Sequence, residues 1–242
     1  IIIGPPGSGK TTLLRESGLS FPQLTHGRGV RGIGGTRNCD WWFTDAGILL
    51  DTAGRYTTQV EDRDEWIAFL DMLKRARSRK PINGALIAIS MADLLQSNEE
   101  QLADHARKIR ERLAELTERL QLVFPVYLMF TKCDLLDGFV EMFGPYSKKE
   151  RGQVWGFTLP YLNRHPEPLG ESFAREFDDL HARLCAERLH NLGNAKSQAK
   201  KRKVFSFPLQ FALGRERRID FVQQLVQPNP FHESSDIRGC YF

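Results

Sequence analysis

Gly4-Pro5-Pro6-Gly7-Ser8-Gly9-Lys10-Thr11 is the stretch from which the rest of the chain is read. Its spacing is G-x-x-x-x-G-K-T. Ile1 to Ile3 before it read as the end of a strand, and Lys10 to Ser17 after it as a helix. Glycines let backbone wrap closely around a phosphate, because no Cβ intervenes. Successive N–H groups then point inward and meet the positive end of the helix dipole. In this pattern Lys10 reaches the β- and γ-phosphates of a nucleoside triphosphate, and the Thr11 hydroxyl is a Mg²⁺ ligand. Gly4, Pro5, Pro6, Gly7, Ser8, Gly9 and Thr12 complete the expected phosphate cradle. The plain alternative is a Gly-rich turn at a helix start, and the strand–loop–helix context speaks against it.

Three further stretches follow in a meaningful order. Asp51-Thr52-Ala53-Gly54 comes after the apolar run Ile48-Leu49-Leu50. A carboxylate at the end of a buried strand beside a phosphate loop can hold Mg²⁺ directly or through water. Gly54 can bring its N–H to the γ-phosphate. Alone, D-x-x-G carries no information; its weight comes from its position. Thr131-Lys132-Cys133-Asp134 follows an apolar run ending at Phe130. There the Asp134 carboxylate can accept from the two N–H groups on the guanine edge, with the Lys132 stem along the base. The alternative is a strand-end turn with an Asp helix cap. Between the loop and Asp51 lies Gly34-Gly35-Thr36-Arg37-Asn38. A threonine here can close on Mg²⁺ and the γ-phosphate. Thr36 is the candidate, Thr25 and Thr44 are weaker ones, and a plain flexible loop is the competing reading.

Along the chain, short apolar runs alternate with helical patterns, which predicts a mostly parallel sheet covered by helices. Trp41 to Thr44 and Gly47 to Leu50 read as a hairpin. Helices are expected from about Arg63 to Arg77 and after Ser97-Asn98-Glu99-Glu100. In the second, Leu102, Ala106, Ile109, Leu113, Leu116 and Leu120 form one apolar stripe. Ala85 to Ser90 and Val123 to Phe130 read as buried strands. The expected division is a core over residues 1–143 and a mainly helical insertion over 144–203, with Phe173, Phe177, Leu180 and Leu184 on one helical face. A last strand at Val204 to Phe207 and a helix over Arg215 to Gln227 fill 204–227. Residues 228–242 are expected to be a linker and the start of a following, truncated domain, with Cys240-Tyr241-Phe242 reading as the beginning of a strand.

Bulk properties narrow the setting. Of 242 residues, 41% are hydrophobic and 26% charged, ordinary for a globular chain. No apolar run approaches the roughly 18 residues of a membrane span. The two ends read as cuts through a longer protein. Four cysteines, Cys39, Cys133, Cys185 and Cys240, form no metal-ligand spacing and suit a reducing cytoplasm. The net charge of +4 is weak. Its main cluster, Lys200-Lys201-Arg202-Lys203, lacks the interleaved aromatics of a nucleic-acid stripe, so no nucleic-acid partner is expected. It reads first as a solvated helix end, although an acidic membrane surface or a partner can also use it.

The string Gly34-Gly35-Thr36-Arg37-Asn38-Cys39-Asp40-Trp41-Trp42-Phe43, with Asp51 to Thr58, resembles the IcmF/TssM family of bacterial type VI secretion systems. Pro81-Ile82-Asn83-Gly84 and Arg238-Gly239-Cys240-Tyr241-Phe242 are similar as well. The resemblance implies the cytoplasmic NTPase-like module of a protein of the bacterial inner membrane, anchored through segments outside this chain. It implies TssL and baseplate components as partners, with TssJ touching an absent periplasmic part. The fold expected is α/β: a Ras-like P-loop NTPase, its mostly parallel sheet flanked by helices, with a helical insertion. Cofactors expected are Mg²⁺ and GTP, with ATP as the alternative. Lys10, Thr36, Asp51 and Arg55 are the catalytic candidates, and Thr11, Thr36 and Asp51 the metal ligands. Arg55 stands where Ras-like proteins carry a water-positioning glutamine. An arginine has no acceptor to orient water, but it can neutralise transition-state charge. Slow hydrolysis is therefore expected, and a binding scaffold with little turnover is the competing reading.

Overall fold

The computed structural model describes residues 1–21, 38–58, 61–160, 168–227 and 236–242. The sheet starts with β1 (Ile2–Ile3), which runs through the loop at 4–9 into α1 (Lys10–Arg15). β2 (Cys39–Phe43) and β3 (Ile48–Thr52) form the expected hairpin. Thr44 fixes its turn: the hydroxyl accepts from the Ala46 and Gly47 N–H groups at 3.1 and 2.9 Å. After β3 come α2 (Arg55–Thr58) and α3 (Arg63–Ala76). β4 (Ala85–Ser90) leads into the short α4 (Met91–Gln96) and the long α5 (Glu99–Leu120).

Asn98 caps α5 in a full capping box with Gln101. The stripe from Leu102 to Leu120 is buried, so periodicity and cap agree on this helix. The helix α4, absent from the sequence reading, is capped by Ser90, which accepts from Asp93 N at 3.3 Å.

β5 (Pro125–Thr131) ends in a 3₁₀ turn at Cys133–Leu135, followed by α6 (Phe139–Phe143), α7 (Lys148–Arg151) and β6 (Gly156–Thr158). Three helices come next: α8 (Leu169–Asn194), α9 (Gln198–Leu213) and α10 (Arg215–Leu225). β7 (Asp236–Tyr241) follows them. Among the described residues seven strands form one sheet, in the order β2-β3-β1-β4-β5-β7-β6. β2 and β6, at the two edges, are antiparallel to their neighbours, and all other pairs are parallel.

Alternation along β1 divides the core. Ile1 and Ile3 join the large cluster that takes in α3, α5 and α8 to α10. Ile2 turns to the opposite face with Leu14 of α1 and Ala88 of β4. β1 has β3 on one side and β4 on the other. The chain leaves β1 toward the hairpin and later crosses to β4. The carboxyl end of β1 is thus a topological switch point, where open α/β sheets form their ligand crevice.

Two expectations are corrected. Val204 to Phe207 is not a strand but the middle of α9, where Val204, Phe207 and Phe211 are buried at helical spacing. A short apolar run does not separate helix from strand, and the Ser197 cap with the packing of α9 on α8 decided for helix here. The remaining parallel strand is instead β7, which pairs with β5 from Pro125↔Asp236 to Met129↔Tyr241. The segment expected to open a following domain thus contributes a strand to this sheet, and the segment expected to be a helical insertion contributes β6.

Candidate functional site

The loop from Gly4 to Thr11 leaves β1 at the switch point. Gly7 (φ +73°) and Gly9 (φ +85°) sit in the left-handed region, which side chains other than glycine rarely adopt. Gly4 is held for a different reason: a Cβ there would lie 2.5 Å from the Ala88 carbonyl oxygen and 2.7 Å from Ser8 Oγ. The backbone of the loop therefore presses on β4 and curls back on itself.

Lys10 is buried, and its Nζ donates to the carbonyl oxygens of Gly4 at 2.7 Å and Pro5 at 3.1 Å. Burial lowers its pKa to about 8, partly offset by the charge of Asp51. Thr11 Oγ1 donates to Asp51 Oδ2 at 2.6 Å. Asp51 is fully buried in β3. That strand is fixed beside β1 by the Thr52 hydroxyl, which donates to Ile2 O at 2.7 Å. Gly54 closes on the same loop: a Cβ on it would lie 2.4 Å from Pro6 N. From the far side, Thr131 Oγ1 donates to Ser8 O at 2.6 Å. Asp51 through Thr11, Gly54 through Pro6 and Thr131 through Ser8 thus meet on one loop.

Beyond Thr131, Lys132 takes a left-handed conformation (φ +57°), and its Nζ lies 3.8 Å from Asp93 Oδ2. Asp134 is exposed in the 3₁₀ turn. Thr12 is exposed on α1. Arg55 is engaged elsewhere. Its guanidinium donates to Asp62, to Glu65 Oε2 at 2.7 Å and to Asn38 Oδ1 at 2.9 Å, and lies 4.8 Å over the Tyr56 ring. These partners hold its pKa above the ordinary value, with the Glu65 hydrogen bond the largest cause. Thr44 is a turn residue of the hairpin. Thr36 and Thr25 lie outside the described residues.

Sequence reading missed Asp62 and Glu65 as partners of Arg55, and Asp93 as the carboxylate facing Lys132. Asp93 had no visible signal, because α4 itself was not expected. Among the described residues no group of three or more His, Cys, Asp or Glu side chains could hold a metal. The oxygens of Thr11 and Asp51 are hard donors of the kind Mg²⁺ takes when phosphates and waters supply the rest. No helix among the described residues is long and apolar enough to cross a membrane.

Residues 59–242 match the profile of the IcmF-related N-terminal domain. The chain belongs to the IcmF/TssM family. The type VI secretion system component TssM1 of Pseudomonas aeruginosa is 48% identical over 249 aligned residues, which cover all of this chain and 23% of TssM1. This IcmF/TssM chain thus spans about a quarter of the length of the curated relative it matches. No solved structure matches it. The family profile begins at residue 59, after the loop, Asp51 and Arg55. Within IcmF/TssM, the phosphate-loop reading of this chain rests on its own residues and on their geometry.

Proposed function

We propose that this IcmF/TssM domain binds a Mg²⁺–nucleoside triphosphate at the loop Gly4 to Thr11. The observation that carries the reading is the pair of side chains at its end: buried Lys10 turned into the loop, and Thr11 bonded to buried Asp51 at 2.6 Å. Thr11 and Asp51 would hold the metal, and Gly54 closes over Pro6 where a terminal phosphate would lie. When bound, Mg²⁺ would supply charge neutralisation to the phosphates. Thr36 is proposed to close on the same metal. The strand order with β1 at the switch point supports a Ras-like P-loop domain. Thr131 braced on the loop and exposed Asp134 favour guanine, with ATP as the alternative ligand.

The proposed setting is the type VI secretion apparatus at the cytoplasmic face of the bacterial inner membrane, with other components of that apparatus as partners. There the nucleotide state would bias assembly or firing. The competing reading, a scaffold that binds nucleotide with little turnover, draws on Arg55, which Asp62 and Glu65 hold by ion pairs. Single-turnover hydrolysis separates these two readings.

Binding itself is tested by Lys10→Ala. Removing a charged donor to phosphate is expected to weaken fluorescent-nucleotide binding in Mg²⁺ about ten- to a hundredfold. Unchanged affinity would remove the basis of the reading. Asp134→Asn is expected to weaken GTP and favour xanthosine triphosphate. If the ratio of GTP to ATP affinity stays as in the parent, the guanine assignment fails and ATP takes its place.

A further inference from the structure

Helix α9 starts with the wrong charges for its own backbone. The N-terminal turn of a helix carries partial positive charge and favours carboxylates. α9 has no acidic residue in its first turn; after the Ser197 cap, Gln198 and Ala199 are followed at once by Lys200, Lys201, Arg202 and Lys203. Lys203 is neutralised locally, with Asp137 and Glu141 at 3.2 and 3.3 Å. Lys200, Lys201 and Arg202 are exposed and make no ion pair among the described residues. A fold that leaves such a conflict unrelieved normally gains something from it elsewhere.

The same face carries a second anomaly. Lys201, Phe205, Leu209 and Leu213 follow at steps of four and so form one row along the helix. Phe205, Leu209 and Leu213 are 59%, 62% and 68% exposed, although the opposite face of α9 is buried through Val204, Phe207 and Phe211. The Arg188 guanidinium lies 4.7 Å over the Phe205 ring, which adds another cation at this face. One surface therefore presents a basic end running into an apolar row.

We propose that this face of α9 docks on an anionic lipid surface. Headgroup phosphates would meet Lys200, Lys201, Arg202 and the first-turn N–H groups. Phe205, Leu209 and Leu213 would enter the boundary between headgroups and acyl chains, about 5–10 Å deep. A bilayer supplies phosphate with hydrocarbon beneath it everywhere on its surface, so no matching register is required. A second copy of the chain fits poorly, because a two-fold contact would set these like charges against each other.

The test is flotation of the 242-residue chain with vesicles of phosphatidylglycerol and phosphatidylethanolamine, and with vesicles of phosphatidylcholine alone. Binding is expected on the anionic vesicles only, and to fall with added salt. K201E/R202E is expected to weaken it about tenfold or more, and F205S/L209S to weaken it by a similar factor. K201E/R202E places carboxylates where the helix dipole favours them, so its thermal midpoint should not drop. Loss of flotation then cannot be assigned to unfolding. R77E/R79E serves as the control: these exposed arginines follow the end of α3, without an apolar row. This variant is expected to bind within about twofold of the parent. The proposal is overturned if the chain ignores anionic vesicles, which would leave the face to an acidic protein partner. It is also overturned if it binds phosphatidylcholine equally, if either α9 variant floats like the parent, or if R77E/R79E alone abolishes binding.

Discussion

At the scale of single residues, Lys10 has the most to report. Its pKa of about 8, against an ordinary 10.5, results from burial that disfavours its charged form. Below pH 8 the amine is protonated in both folded and unfolded chains. Between about 8 and 10.5 the unfolded chain holds a proton that the folded one lacks, so the stability contributed by this group rises with pH across that window. The proposed triphosphate binding would have the opposite sign, because it would require the charge. Affinity is therefore expected to be flat below pH 8 and to decline above it, read by nucleotide titrations from about pH 7 to about pH 10. Lys10→Ala should remove that decline along with most of the affinity. The residues around Lys10 were readable from the sequence because their motifs specify backbone geometry. Gly9 must turn left-handed, and Gly54 must lack a Cβ to lie on Pro6. The engagement of Arg55 was not readable. Asp62 and Glu65, at the start of α3, belong to no sequence motif that points to Arg55.

At the scale of elements, the start of α5 is the clearest case of local sequence acting alone. Asn98 accepts from Gln101 N at 2.8 Å, and the Gln101 side chain accepts from Asn98 N at 3.0 Å. Asn98→Ala is expected to cost about 1 kcal/mol and to lower the thermal midpoint by about 2–4 °C, while Asn98→Asp should retain most of the cap. Calorimetry on the three proteins checks this. α5 was legible because its cap and a stripe of several turns point to the same answer. The run from Val204 to Phe211 was not, since its apolar residues suit either period over so short a span, and Pro208 argues against a long helix. β6 was missed, and β7 was read only at its end, Cys240 to Phe242, as the beginning of a strand in a following domain. Gly156–Thr158 has three residues, and Asp236–Tyr241 carries Arg238 and Gly239, so neither shows the apolar run of a buried parallel strand.

At the scale of the whole molecule, the helices α8 to α10 meet the sheet around a buried arginine. Arg218 is fully buried and donates to Phe211 O; its guanidinium lies 4.7 and 4.5 Å over the Phe177 and Phe211 rings. Burial lowers its pKa to about 10. Nε and Nη1 have no hydrogen-bond partner among the described residues. Stacking on the rings returns about 2 kcal/mol when desolvated, less than the several kcal/mol lost on removing a guanidinium from water. Arg218→Met is therefore expected to leave the thermal midpoint unchanged or raise it, and Arg218→Lys to lower it, because the charge stays while the stacking is lost. Equal losses in both variants would show that the guanidinium has a partner worth more than the rings.

The place of β7 has a consequence for how the chain is made. β7 lies between β5 and β6, yet α8, α9 and α10 separate it in sequence from β6. While the ribosome is still delivering those helices, β5 has an open edge and β6 has no neighbour to pair with. The switch point at β1, with its loop, can assemble early from β1, β3 and β4. The far half of the sheet waits for residues 236–241 to emerge. During synthesis the loop from Gly4 to Thr11 can therefore take shape on a half-built sheet, and a chaperone that shields the exposed edge of β5 would have its opportunity in that interval.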